Sequence, residues 1–143
     1  MTQNLIFFVY VCINNVFKSE MLKEGLTFTS KTTVTDALTA KALGSGDMDV
    51  LATPAMVALM ENAAMMAVAP ELPEGMTTVG GHIETSHLRP SKVGAEIEAK
   101  AVLEKIDGKK LFFAVEAMQD GNVIGQGKHL RFIVDRDKFL SRL

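Results

Sequence analysis

The stretch "AEIEAKAVLE" (Ala95 to Glu104) alternates: Ile97, Ala99, Ala101 and Leu103 fall on one side of an extended chain, and Glu96, Glu98, Lys100 and Glu104 on the other. Successive strand side chains point to opposite faces, so the pattern predicts an antiparallel strand, Ala95 to Ile106, with one face buried and one wet. Similar runs predict strands at Thr77 to Leu88, Leu111 to Gln119 and Val123 to Val134. The turns between the last three strands are "DGKK" (Asp107 to Lys110) and "DGN" (Asp120 to Asn122). Asp-Gly between alternating runs is a strong hairpin signal. "RPSKVG", with Pro90 and Gly94, breaks the chain before the meander. Upstream, "LTFTSKTTV" (Leu26 to Val34) is rich in Thr and Phe and predicts a further strand.

Between the first strand and the rest the period changes. "TDALTAKALG" predicts a short helix with Asp36 as N-cap and Gly44 as its stop, and "SGDMD" (Ser45 to Asp49) a polar loop. "TPAMVALMENAAMMAVAP" (Thr53 to Pro70) predicts a long helix with Thr53 as N-cap, Pro54 at the first helical position and Pro70 closing it. It is apolar on nearly every side, which predicts burial. The fold class is therefore α+β, an antiparallel five-stranded sheet wrapped around one long buried helix, over residues 21 to 143. The first twenty residues stand apart. "LIFFVYVCI" (Leu5 to Ile13) is an unbroken apolar run with no charge before Lys18. It is far shorter than the ~20 residues of a membrane span and lacks the marks of a secretory signal. It reads either as a strand added to a sheet edge or a partner, or, preferably, as an extension of unclear role ahead of Met21.

Composition narrows the partners. The 143 residues carry 15 basic and 17 acidic side chains, a net charge of −2, without a basic stripe or an acidic tail, so nucleic acid is not implied. No Trp and one Tyr leave no stacking platform for single strands. Cys12 is the sole cysteine, which excludes an intrachain disulfide and a Cys-rich zinc site and suits a cytoplasmic protein. Three scattered His residues give no metal-ligand spacing, and neither a cofactor nor a membrane is expected.

Three polar residues sit where packing alone would not put them. Glu61 is the only charged residue between Pro54 and Ala69. A carboxylate there is either tied to the sheet by a buried ion pair or hydrogen bond, or faces a cavity as a functional group. Thr53 is explained as a helix cap, but its hydroxyl also lies beside the free N–H groups of a helix start, where a carbonyl oxygen could be held. His87, in "VGGHIETSHLRP", shares the side of Val79, Ile83 and Thr85 by alternation and so faces the helix. Gly80-Gly81 in the same strand indicates either a bulge or a close approach by another group. Thr53 and Glu61 are eight residues apart, about 12 Å along a helix. A compact site using both therefore holds substrate between them or borrows one from a second subunit. Together with exposed sheet edges, this points to a dimer.

These residues carry a specific resemblance. "LATPAMVALME", "TVGGHIETSHLRPSKVGAEIEAKA" and "GKHLRFIVD" resemble the hotdog-fold thioesterases, most closely the fluoroacetyl-CoA thioesterase-like branch, over roughly Gly25 to Asp135. The resemblance implies an acyl-CoA thioesterase acting on a short or medium acyl thioester, working as a homodimer that could pair into a tetramer. It implies Thr53, Glu61 and His87 as catalytic residues and Gly80, with Gly81 beside it, at the acyl group. "SGDMDVL" lacks the aromatic lid residue of the specialised fluoroacetyl enzymes, which argues against a fluorinated substrate. Met56, Met60, Met65 and Met66 suggest a soft acyl pocket or simply core. The alternatives are a hotdog module that binds acyl-CoA or a small hydrophobic ligand without hydrolysing it, and a hydratase on the same scaffold, whose His/Asp arrangement is absent.

Overall fold

The computed structural model describes residues 22–143; the expectations for the N-terminal twenty residues lie outside the described residues. Five antiparallel strands run β1 (Thr27–Thr33), β2 (Met76–Thr85), β3 (Glu96–Asp107), β4 (Lys110–Gln119) and β5 (Asn122–Asp135). Their spatial order is β1-β3-β4-β5-β2, so β1 and β2 are the edges. Both hairpins form where Asp-Gly predicted them. Asp107 pairs with Lys110 across a turn whose Gly108 has φ 58°. Gln119 pairs with Asn122 across Asp120 and Gly121, both at positive φ (50° and 75°), the type I′ geometry that matches strand twist.

The inward faces are those the alternation indicated. Ile97, Ala99, Ala101 and Leu103 on β3, and Leu111, Phe113, Val115 and Ala117 on β4, are all buried. Against them lies α2 (Thr53–Val68), following a short α1 (Ala40–Leu43). Ala63, Ala64 and Ala67 belong to the same buried cluster as Ala99 and Ala101, and such small side chains permit close approach of helix and sheet. Met56 and Met60 are fully buried core residues, whereas Met66 is 37% exposed.

Four local expectations need correction. The cap of α2 is Ala52, with no side-chain capping bond, and Thr53 is already helical. The cap of α1 is Thr39, whose hydroxyl accepts from the Ala42 N–H; Asp36 instead opens a 3-10 turn (Asp36–Leu38). Helix α2 is not enclosed on all sides: it packs mainly on β1 and β3, leaving Pro54, Ala58 and Met66 exposed in the single chain. The chain also ends in a short α3 (Arg136–Ser141) that the strand pattern did not indicate, capped by Asp135 accepting from the Lys138 N–H at 3.0 Å.

The Gly80-Gly81 pair is a bulge. Gly80 pairs with Arg131 and His82 with Leu130, so Gly81 is the extra residue without a partner on β5. An extra residue reverses the alternation. Before the bulge Thr78 is buried and Val79 lines an outer groove with Phe132; after it, Ile83 stands opposite buried His129 and the Thr85 hydroxyl approaches the sulfur of buried Met60. Val79 therefore does not share the face of Ile83 and Thr85, contrary to unbroken alternation.

Candidate active site

The polar residues form two groups, one at each end of a line along α2. At the helix start, Thr53 Oγ1 lies 2.7 Å from His87 Nδ1. His87 follows β2 on a stretch that keeps pairing with β5 through Ser86 N–H to the Gln126 carbonyl and Leu88 N–H to the Ile124 carbonyl. Burial lowers the His87 pKa from its ordinary value, so the ring is neutral near pH 7. A neutral imidazole with a bare Nδ1 accepts the threonine hydroxyl hydrogen, which leaves the hydrogen on Nε2. That nitrogen is buried and has no hydrogen-bond partner among the described residues. The pair opens onto a cleft of about 360 Å³ whose walls include Met48, Leu51, Leu88 and Pro90.

Two turns further along, Glu61 faces β2 and β5. Its side chain is 40% exposed, not buried as the helix pattern suggested, because the helix side toward β2 is uncovered. Glu61 borders a second cleft, of about 270 Å³, with Gly80, Gly81, His82, Ile83 and His129. Gly80 is there because nothing larger fits: a Cβ at that position would lie 2.6 Å from Glu61 Oε2 and 3.3 Å from His129 Cε1. Gly81 serves the opposite face, where a Cβ would run into the Phe132 ring. The two clefts share no lining residue in the single chain. The structure thus brings Thr53 to His87 and Glu61 to Gly80, but does not bring the two pairs together.

Sequence reasoning missed the floor of the Glu61 cleft. Arg131, 7% exposed at its side chain, donates from Nε to Thr78 Oγ1 (2.8 Å), from NH2 to the Thr78 carbonyl (2.9 Å) and from NH1 to Glu61 Oε2 (3.4 Å). His129 Nδ1 lies 2.7 Å from the His82 carbonyl, and its Nε2 is 3.2 Å from Arg131 NH1 and 3.8 Å from Glu61 Oε2. A carbonyl only accepts, so Nδ1 carries the hydrogen, and a neutral ring then has a bare Nε2 that accepts from Arg131. Burial lowers the His129 pKa, which keeps the ring neutral and makes its approach to Glu61 a dipolar contact, not an ion pair. Burial likewise lowers the Arg131 pKa, opposed by the Glu61 charge, but a guanidinium stays protonated. A signal existed in "GKHLRFIVD": His129 and Arg131 stand two apart in line with Ile133, placing two basic groups at inward positions of a strand.

Among the described residues no three His, Cys, Asp or Glu side chains converge as metal ligands, and no helix is long and apolar enough to cross a membrane.

Comparison with known proteins decides the family. The family model for FlK, the fluoroacetyl-CoA-specific thioesterases, matches residues 34–137. The chain belongs to that family. Its relatives include the fluoroacetyl-CoA thioesterase of Streptantibioticus cattleyicolor, 33% identical over 95 residues, which span 66% of this chain and 68% of that one. A serine-for-threonine variant of the fluoroacetyl-CoA thioesterase FlK in complex with acetyl-CoA superposes with a TM-score of 0.80 at 28% identity, over 85% of this chain and 96% of that one. A thioesterase superfamily member from Thermus thermophilus gives a TM-score of 0.78 at 30% identity, over 85% and 90% of the two chains. The sheet and helix described above are thus the hotdog fold of a fluoroacetyl-CoA thioesterase family member, a thioester hydrolase family, and the two clefts lie within its matched residues.

Proposed function

We propose that this protein is an acyl-CoA thioesterase that hydrolyses a short or medium acyl thioester to the free acid and CoA, with Thr53, Glu61 and His87 as its catalytic residues. The supporting observation is the pairing of a hydroxyl with a neutral imidazole at one end of α2 and a carboxylate over a glycine notch two turns away. In this reading the acyl carbonyl lies by Gly80 and Gly81, and the backbone N–H groups of the bulge polarise it. Glu61 takes one proton from water as the water oxygen bonds the carbonyl carbon, or attacks that carbon itself to give a mixed anhydride that water then hydrolyses, releasing the acid and freeing the carboxylate. His87 takes a proton from solvent before the C–S bond breaks, and its imidazolium gives that proton to the departing thiolate and returns to the neutral ring. Where Glu61 has taken a proton from water, it releases that proton to solvent. Thr53 orients the acyl group and holds the imidazole. These steps use protein groups and water only.

The two clefts lie about 12 Å apart along the helix, so the reading includes a homodimer in which a second copy completes the site. Support comes from the two unpaired sheet edges, β1 and β2, and from the uncovered side of α2 beside Glu61. Residues 21–143 act as one unit, in the cytoplasm where CoA thioesters are available. The loop Ser45 to Asp49 contains no aromatic residue, so non-fluorinated acyl groups are the expected substrates.

Thiol release from acetyl-CoA and longer acyl-CoAs tests the proposal, with Glu61→Gln as control. The expected result is release by the wild type and a loss of at least about 100-fold in Glu61→Gln. The contact between Glu61 and Arg131 favours a second reading, a module that holds acyl-CoA without cleaving it. Binding with no thiol release across the panel would establish that reading instead.

A further inference from the structure

Arg131 has more donors than Glu61 can use, and what restrains them is His129. Thr78 engages Nε and NH2 at 2.8 and 2.9 Å, so only NH1 faces the carboxylate, and NH1 is divided between His129 Nε2 at 3.2 Å and Glu61 Oε2 at 3.4 Å. Glu61 Oε1 makes no hydrogen bond among the described residues. The His129 ring cannot turn away, because its other nitrogen is fixed on the carbonyl of His82, the residue that follows the bulge. The ring is also packed by Phe113, with centroids 6.3 Å apart.

We propose that His129 is a positioning residue of this site: its bare Nε2 holds back the NH1 group of Arg131, so that the guanidinium steadies one oxygen of Glu61 without closing on the carboxylate. This rests on the thioesterase reading for its consequence, since the same carboxylate is the base or nucleophile of that reaction. Without the imidazole acceptor, NH1 turns wholly to Glu61 and the ion pair tightens; a carboxylate held by two N–H donors is a weaker base. A proton on Nε2 has the same effect by another route. It removes the acceptor, repels Arg131 and adds a donor beside Glu61. The charged or titratable groups around the ring are Glu61 from α2, Arg131 from β5 and His82 from β2. Because burial disfavours the imidazolium, this second route operates only below the ordinary histidine range.

The test compares His129→Gln, whose amide oxygen can replace the Nε2 acceptor, with His129→Phe, which has no acceptor. Two substrate-free readouts come first, on the full chain. The nitrogen chemical shifts of His129 are expected to show the Nδ1–H tautomer at pH 7. The carboxyl-carbon titration of Glu61 is expected to move to lower pH in His129→Phe and to stay in place in His129→Gln. With acyl-CoA, His129→Phe is expected to lose about tenfold or more in kcat with KM changed by no more than about twofold, given that misplacement by 1 Å can cost on the order of 100-fold. His129→Gln is expected to restore most of it. An Nε2–H tautomer, or a Glu61 titration that is unmoved in His129→Phe or moved equally in both variants, overturns the proposal. A wild type that releases no thiol refutes the thioesterase reading alone, because the tautomer and the Glu61 titration are still read without substrate.

Discussion

Replacing Gly80 by alanine separates chemistry from folding. The new Cβ would stand 2.6 Å from Glu61 Oε2, 3.3 Å from His129 Cε1 and 3.6 Å from Arg131 NH1. Ordinary contact begins near 3.4 Å, so the carboxylate must retreat by roughly the difference, while the His129 carbon needs only a tenth of an ångström and Arg131 none. Gly80 is not among the glycines at positive φ, so alanine adds no backbone strain. The half-exposed Glu61 side chain can swing outward, and the stability cost is expected to stay within about 1 kcal/mol. Its displacement, however, approaches the 1 Å for which about 100-fold in rate is typical. A loss of about 10- to 100-fold in kcat corresponds to roughly 1.4 to 2.7 kcal/mol of barrier. The assay is continuous thiol release beside a thermal melt. Adding Glu61→Gln to Gly80→Ala should then cost far less than the product of the single losses, since both act through one carboxylate. Wild-type kcat in a well-folded Gly80→Ala protein would refute the placement of Glu61 over the glycine notch. So would full additivity in the double variant. Gly81→Ala gives the contrasting result, because its Cβ meets the Phe132 ring on the other face, and a lower melting temperature is the expected effect.

Three shorter predictions follow from the same contacts. Thr53→Ala should leave the melting temperature nearly unchanged, because Ala52 holds the cap position and Thr53 makes no capping bond; a true cap would cost about 1 kcal/mol. Its kcat should fall, and Thr53→Ser should retain activity through the hydroxyl facing His87. Phe113→Ala, at a position 1% exposed beneath α2, should destabilise by about 3–5 kcal/mol in a denaturant titration. Stability should also fall on acidification through the His129 and His87 ionisations. Both folded pKa values are depressed by burial, so the unfolded chain binds more protons between the folded pKa and the ordinary value near 6.5. That contribution is complete above about pH 6.5 and is lost as the pH falls toward the folded values, which midpoints of urea unfolding across this range will show.

The strands and hairpins were legible because each is set by short-range chemistry. Ile97, Ala99, Ala101 and Leu103 alternate with charges, and Asp120-Gly121 supplies two positive-φ residues in succession. The C-terminal turn of helix was not, since its cap, Asp135, is itself the last residue of β5, with no turn residue between strand and helix. The face of Val79 was misread for a geometric reason. Alternation is a count, and one unpaired residue at Gly81 moves every side chain before it to the other side. Glu61, Thr53 and His87 stood out as polar residues in apolar surroundings, but their grouping did not. Which residue lies against which depends on β2 returning beside β5, a contact between residues about fifty positions apart. Arg131 and His129 passed unnoticed for the converse reason. They share the alternation position of Ile133, but beside Gln126 and Lys128 two basic side chains read as solvated until the sheet shows which way they point.

The contact between Glu61 and Arg131 raises the question of which residue the pair serves. In a structural ion pair both partners are buried and each is the other's best contact. Here the two differ sharply. Arg131 is 7% exposed at its side chain and holds Thr78 at 2.8 and 2.9 Å, whereas Glu61 is 40% exposed and meets Arg131 at 3.4 Å. Arg131 would stay in place without the carboxylate, secured by Thr78 and His129. A half-exposed ion pair at that distance contributes about 0–1 kcal/mol. Glu61→Gln, which keeps the side chain's shape and can still accept from NH1, should therefore shift the unfolding free energy by less than about 1 kcal/mol while removing most turnover. A structural carboxylate gives the reverse outcome: breaking a buried pair costs about 3–5 kcal/mol, and a loss of that size in Glu61→Gln, with thiol release retained, would assign Glu61 to the scaffold. The relation between the two residues is thus asymmetric. The sheet fixes the cation, and the cation steadies an acid that the fold does not otherwise need.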